Sequence, residues 1–99
     1  MAQFDVHRNP SGNGFLLDIQ ADLLDELKTR VVVPLIALSH LPKPAKRLNP
    51  VFSVARRRYV MATQFMAAIP AGELGKPVGT LAVHRDEIIA AIDVLLSGV

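Results

Sequence analysis

The sequence predicts a mainly β domain of the α+β class, finished by a single C-terminal helix. Three features carry that expectation. Apolar and polar residues alternate with period two near the N-terminus, a β-branched run apolar on both faces follows, and from Ile88 onward the period changes to that of a helix. A chain of 99 residues has room for one domain, residues 1–99, with one core.

Phe4 and Val6 alternate with Gln3, Asp5 and His7, and Phe15, Leu17 and Ile19 with Leu16, Asp18 and Gln20, the pattern of two half-buried strands. The turn formers Asn9-Pro10-Ser11-Gly12-Asn13-Gly14 between them make a hairpin. Ala21 to Thr29 is too short for a firm helical pattern and reads as a connection carrying Leu23, Leu24 and Leu27. Arg30 to Leu38 reads as a strand buried on two sides, with Pro34 expected to place a bulge, an edge or a bend in its middle. From Ser39 to Pro50, three prolines and the cations Lys43, Lys46 and Arg47 mark an irregular, exposed excursion.

Val51–Val54 and Tyr59–Gln64 form a second hairpin, with Ala55-Arg56-Arg57-Arg58 as its tip. After Pro70, Gly72, Gly75, Pro77 and Gly79 impose turns around a short strand. Ile88, Ile89, Ile92, Leu95, Leu96 and Val99 fall at offsets 0, 1, 4, 7, 8 and 11, one stripe of a 3.6-residue helix. Asp86 and Glu87 suit its N-terminal dipole, and Gly98 suits its exit.

A hydrophobic share of 51% against 20% charged residues excludes a disordered chain. So much aliphatic surface on so small a domain favours a homodimer. With no cysteine there is no disulfide frame, thiolate metal site or cysteine nucleophile, which fits a reducing cytoplasm. No secretory pattern opens the chain and no apolar run approaches a membrane span, so no membrane association is expected. A net charge of +2 does not by itself imply nucleic acid.

His7, His40 and His84 lie far apart in sequence without metal-ligand spacing, and the glycines match no phosphate-binding fingerprint. No catalytic residue, metal or cofactor is therefore expected. His84 with Asp86 or Glu87 reads as a polar first turn, since adjacent helix positions do not face each other. Arg56, Arg57 and Arg58 are the concentrated charge. Projecting together from a hairpin tip, they suit a carboxylate-rich protein segment, whereas a single tyrosine gives no stacking platform for single-stranded nucleic acid.

Read end to end, the chain resembles the CcdB family of plasmid and chromosomal toxins. The resemblance is carried by Asp18-Ile19-Gln20-Ala21-Asp22-Leu23-Leu24-Asp25, Arg30-Val31-Val32-Val33-Pro34-Leu35, Asn49-Pro50-Val51 and Met61-Ala62-Thr63. Met66-Ala67-Ala68-Ile69-Pro70, Leu74-Gly75, Leu81, His84-Arg85 and Gly98-Val99 continue it in the family's order. The resemblance implies an SH3-like, partly open antiparallel barrel with a small extra sheet and one C-terminal α-helix. It also implies a non-enzymatic, homodimeric toxin of a type II toxin–antitoxin pair. Such a dimer binds the DNA gyrase A subunit, traps the DNA-cleaved state, and is neutralised by a CcdA-like antitoxin with a disordered, acidic C-terminal segment.

The family's gyrase-contacting positions correspond to Leu23, Leu24, Asp93, Leu96, Ser97, Gly98 and Val99. Where well-known members carry phenylalanine and tryptophan, this chain has Leu96 and Ser97, and Asp93 replaces an asparagine. Aromatic anchors are worth about 2 kcal/mol or more each, so a weaker grip on gyrase is expected. The first hairpin loop is two residues shorter than the family's, and Arg56–Arg58 replaces an acidic turn. An endoribonuclease toxin on the same fold and a detoxified, antitoxin-binding homologue remain alternatives.

Overall fold

The computed structural model describes residues 2–41 and 43–98. Its strands are β1 (Asp5–Arg8), β2 (Phe15–Asp18), β3 (Thr29–Ala37), β4 (Val51–Val54), β5 (Arg57–Met61), β6 (Ala67–Pro70) and β7 (Gly79–Thr80), followed by α1 (Arg85–Ser97). The spatial order is β4-β5-β3-β2-β1-β7, all antiparallel, and β6 pairs with β3 outside that path. The result is a nearly closed antiparallel barrel with one C-terminal helix. The small extra sheet is β6 on the N-terminal half of β3, continuous with the barrel through β3.

β3 organises the molecule because it holds β2 along one edge and two strands in succession along the other. It pairs with β6 at Thr29–Val32 and with β5 at Leu35–Ala37. Pro34 stands where the partner changes, while its register with Leu16 runs on unbroken. It therefore makes neither a bulge nor an edge: its missing N–H falls between two partner strands, and its carbonyl still accepts Ala62 N at 2.9 Å.

The main core gathers Phe4, Val6, Phe15, Leu17, Val33, Leu35, Phe52, Met61 and Leu81, with Ile88 and Ala91 of α1 laid across it. Burial of one such large aliphatic side chain is worth about 1.5–3 kcal/mol. On the opposite face of β2 and β3, Leu16, Val32 and Leu74 form a smaller cluster beneath residues 71–78. β2 is consequently buried on both faces, not half-buried as the alternation suggested.

That second covering draws polar residues inside. Asp18, His7 and Arg30 are all at most 1% exposed. Arg30 Nε donates to Asp18 Oδ2 at 2.9 Å, and Nη2 lies 2.6 Å from the same oxygen. The Nη2 contact is out of hydrogen-bond alignment, so Nε carries the directed bond and Nη2 adds charge attraction. Gln20 accepts from Val31 N and donates to Leu24 O. His7 Nδ1 donates to Gly75 O at 2.7 Å, pinning the covering segment.

Of the excursion, the described residues 39–41 and 43–50 are mostly exposed but end buried at Asn49 and Pro50. Asn49 donates to Met61 O and to Gln64 Oε1, and accepts from Ala45 N. These bonds fasten the excursion's end to the barrel wall.

Candidate functional site

α1 ends as the sequence foretells. Gly98 takes the left-handed conformation, φ 74°, and its N–H reaches Val94 O at 3.0 Å. Ser97 Oγ turns back onto Asp93 O at 2.8 Å, so the hydroxyl is spent on the helix itself. Leu96 is 72% exposed and Leu95 37%. Asp93 is also exposed, while Val99 lies outside the described residues.

Leu23 and Leu24 sit on a short 3-10 turn, Asp22–Leu24, at 91% and 46% exposure, and Leu27 beyond it is half exposed. Asp22 Oδ1 accepts Gln3 N at 2.7 Å, and Gln3 Oε1 accepts Arg85 Nη1 at 3.4 Å. These bonds lead from the turn to the first residue of α1. At a 1.5 Å rise per residue, Leu96 lies roughly 16 Å further along the axis. The bonding of the connection is thus to the start of the helix, away from its C-terminal end.

The arginine tip is a correction. Only Ala55 and Arg56 form the turn, at φ 51° and 66°, while Arg57 and Arg58 already belong to β5, paired with Val54 and Ser53. Positive φ at both positions is the type I′ turn, whose twist matches that of the strands, and that requirement outweighs the lack of Gly or Asn. Successive strand residues point to opposite faces, so Arg57 and Arg58 diverge instead of projecting together.

Arg57 shares its face with Tyr59, which packs edge-on against Phe15 at 5.1 Å between ring centres. Both line a cleft of about 230 Å³ between the first hairpin loop and the C-terminal half of β3, with His40, Asn9 and Asn13 around it. Nothing local in the sequence marks this cleft, because its walls come from four separate segments.

The histidines occupy three unrelated environments. His7 is buried, His40 is at the cleft, and His84 lies against Phe52 with ring centres 4.9 Å apart and planes tilted by 40°. Among the described residues no three His, Cys, Asp or Glu side chains gather in a way that would hold a metal ion. No described helix is long and apolar enough to cross a membrane.

The nearly closed antiparallel barrel and its single C-terminal helix define a small, mainly β domain with exposed aliphatic residues at the helix end. The family model described as CcdB protein matches residues 3–98, and the chain belongs to that family. Membership makes it the toxin of a toxin–antitoxin system, with an antitoxin as partner.

Proposed function

We propose that the chain acts without catalysis, as a cytoplasmic homodimer that binds the DNA gyrase A subunit and traps its cleaved complex. The observation that carries this reading is the exposure of Leu23, Leu24 and Leu96 at the positions the family uses against gyrase. Contiguous exposed apolar patches mark interaction sites, and Leu23, Leu24 and Leu27 stand exposed together on one short connection.

Dimerisation has support of its own. A 10.8 kDa monomer typically exposes about 5,500 Å², and this chain alone exposes 6206 Å². Within one protomer the connection is bonded to the opposite end of α1 from Leu96. A surface uniting the two sets of leucines is most simply assembled across a two-fold axis, which suits a symmetric target.

The test is a gyrase supercoiling and DNA-cleavage assay beside an RNA-cleavage assay, with sedimentation to fix the mass. Gyrase inhibition with trapped cleavage, no RNA cleavage and twice the monomer mass is the expected result. RNA cleavage lost in His84→Ala would overturn the non-enzymatic reading, and a monomer at tens of micromolar would remove the two-fold surface.

A further inference from the structure

β3 and β4 run parallel with β5 between them, since each pairs antiparallel with β5. β3 leaves the sheet at Ala37, opposite Tyr59, and β4 enters it at Val51, opposite Val60, with Pro50 O accepting Met61 N. The connection between them must therefore cross one face of β5. Tyr59 and Met61 belong to the main core, so the crossing takes the opposite face, the one shared by Arg58 and Val60. Val60 stands outside the main core yet is 0% exposed, as a residue covered on that face should be.

This face is one-sided in charge. Lys43, Lys46 and Arg47 are exposed on the crossing, with Arg58 exposed on the crossed face and Arg56 at the hairpin turn. Lys46 and Arg47 stand at the apex of a turn closed by Asn49, whose side chain accepts Ala45 N while its own N–H donates to Ala45 O. Between Leu27 and Gly72 the chain carries eight of its 11 Lys and Arg residues and no Asp or Glu, a segregation that the net charge of +2 conceals. Among the described residues the one ion pair is Asp18–Arg30, so these five cations have no carboxylate partner.

We propose that this face binds the phosphate backbone of a nucleic-acid duplex. The exposed large apolar residues all lie elsewhere, before residue 28 or from Phe65 onward. Protein partners are gripped through apolar and aromatic anchors, which this face lacks, whereas phosphates are gripped through charge alone. No aromatic ring is exposed on the crossing or at the hairpin turn, and Tyr59 is turned to the core against Phe15, so unpaired bases have nothing to stack on. Guanidinium groups at Arg47, Arg56 and Arg58 suit bidentate contact with phosphate oxygens. The inference goes beyond the toxin–antitoxin reading and does not rest on it.

The experiment follows the fluorescence anisotropy of a dye-labelled duplex of about 20 base pairs as the full chain is added at several salt concentrations. Five phosphate contacts give log affinity against log salt a slope of about −4.5, or roughly 500-fold weaker binding between about 50 and 200 mM salt. A duplex of unrelated sequence should bind alike, because phosphate contacts carry no sequence information. Lys46→Gln with Arg47→Gln, and Arg56→Gln with Arg58→Gln, should each flatten the slope by about 1.8 and weaken binding about tenfold or more. Arg8→Gln with Lys76→Gln removes the same charge from exposed positions outside this face and should weaken binding less than about threefold.

Duplex DNA and duplex RNA, run side by side, name the source of the backbone. A slope for the native chain shallower than about −2, or no binding at about 50 mM salt, overturns the proposal and needs no variant to fold. A control pair that weakens binding as much as either test pair overturns it too, since net charge and not this face would then be responsible. Polyglutamate bound more tightly than a duplex of equal charge would give the face to an acidic protein. Single-stranded DNA bound more tightly than the duplex would give it to unpaired bases, and either result overturns the duplex.

Discussion

Removing one member of the Asp18–Arg30 pair should cost far more than removing both. Asp18 is 0% and Arg30 1% exposed, joined at 2.6–2.9 Å. Asp18→Asn leaves a buried guanidinium without its counter-charge, and such breaks cost about 3–5 kcal/mol. A domain of this size has about 5–15 kcal/mol in total, so the single change removes between about a fifth and all of it. The corresponding fall in Tm is roughly 12–40 °C. Arg30→Met alone strands the carboxylate and should cost as much. The double change Asp18→Leu, Arg30→Met replaces the pair with apolar groups and should lie within about 2 kcal/mol of the native protein. Urea unfolding followed by far-ultraviolet circular dichroism, at one fixed protein concentration, reads all three; the chain has no tryptophan to serve as a probe. Single variants that lose under about 1 kcal/mol, or a double variant that loses the sum of both singles, would refute the argument.

The remaining predictions concern turns and the helix end. Gly14 has φ 70°, and a Cβ there would run into the carbonyl oxygen of Leu35, so Gly14→Ala should cost at least about 2 kcal/mol in thermal unfolding. Ala55→Asn with Arg56→Gly relieves positive φ in the second hairpin turn and should raise stability by about 1 kcal/mol, seen as a Tm increase of roughly 4–8 °C. Leu96→Phe with Ser97→Trp should strengthen binding to an enteric gyrase A subunit about tenfold or more in surface plasmon resonance, with stability unchanged within about 0.5 kcal/mol. Deleting residues 97–99 should abolish gyrase inhibition while circular dichroism still reports the fold.

Much of the architecture could be read from the chain because local chemistry governs it. The stripe from Ile88, the carboxylates at 86 and 87 and Gly98 give α1 its period, start and exit, each within a turn's reach. The doubly apolar run from Arg30 gives β3 for the same reason. What escaped is non-local. Asp18 falls on the polar side of its alternation until the segment at 71–78 folds over that face, and nothing in the sequence pairs it with Arg30 across the intervening connection. Pro34 read as a defect because its tolerance depends on two strands, β5 and β6, meeting opposite it. The tip of the second hairpin escaped because Ala55 and Arg56 adopt positive φ without the residue types that advertise it. At the candidate site, the exposure of Leu23 and Leu96 follows from where the connection and the helix end sit on the barrel, and the cleft by Tyr59 is walled by four separate segments, neither of which any residue type marks.

The pairing of β1 with β7 joins Asp5 to Thr80, so the barrel's seam ties two strands that leave the ribosome at widely separated times. No nascent fragment that stops short of Thr80 can close it. At about 5–20 residues per second, several seconds separate the two strands, during which β1 has β2 on one edge and nothing on the other. Contacts so distant in sequence also slow folding after release, toward the millisecond-to-second range of β proteins. A barrel built this way keeps an open seam until β7 has emerged, so the chain cannot complete its fold strand by strand as it is made.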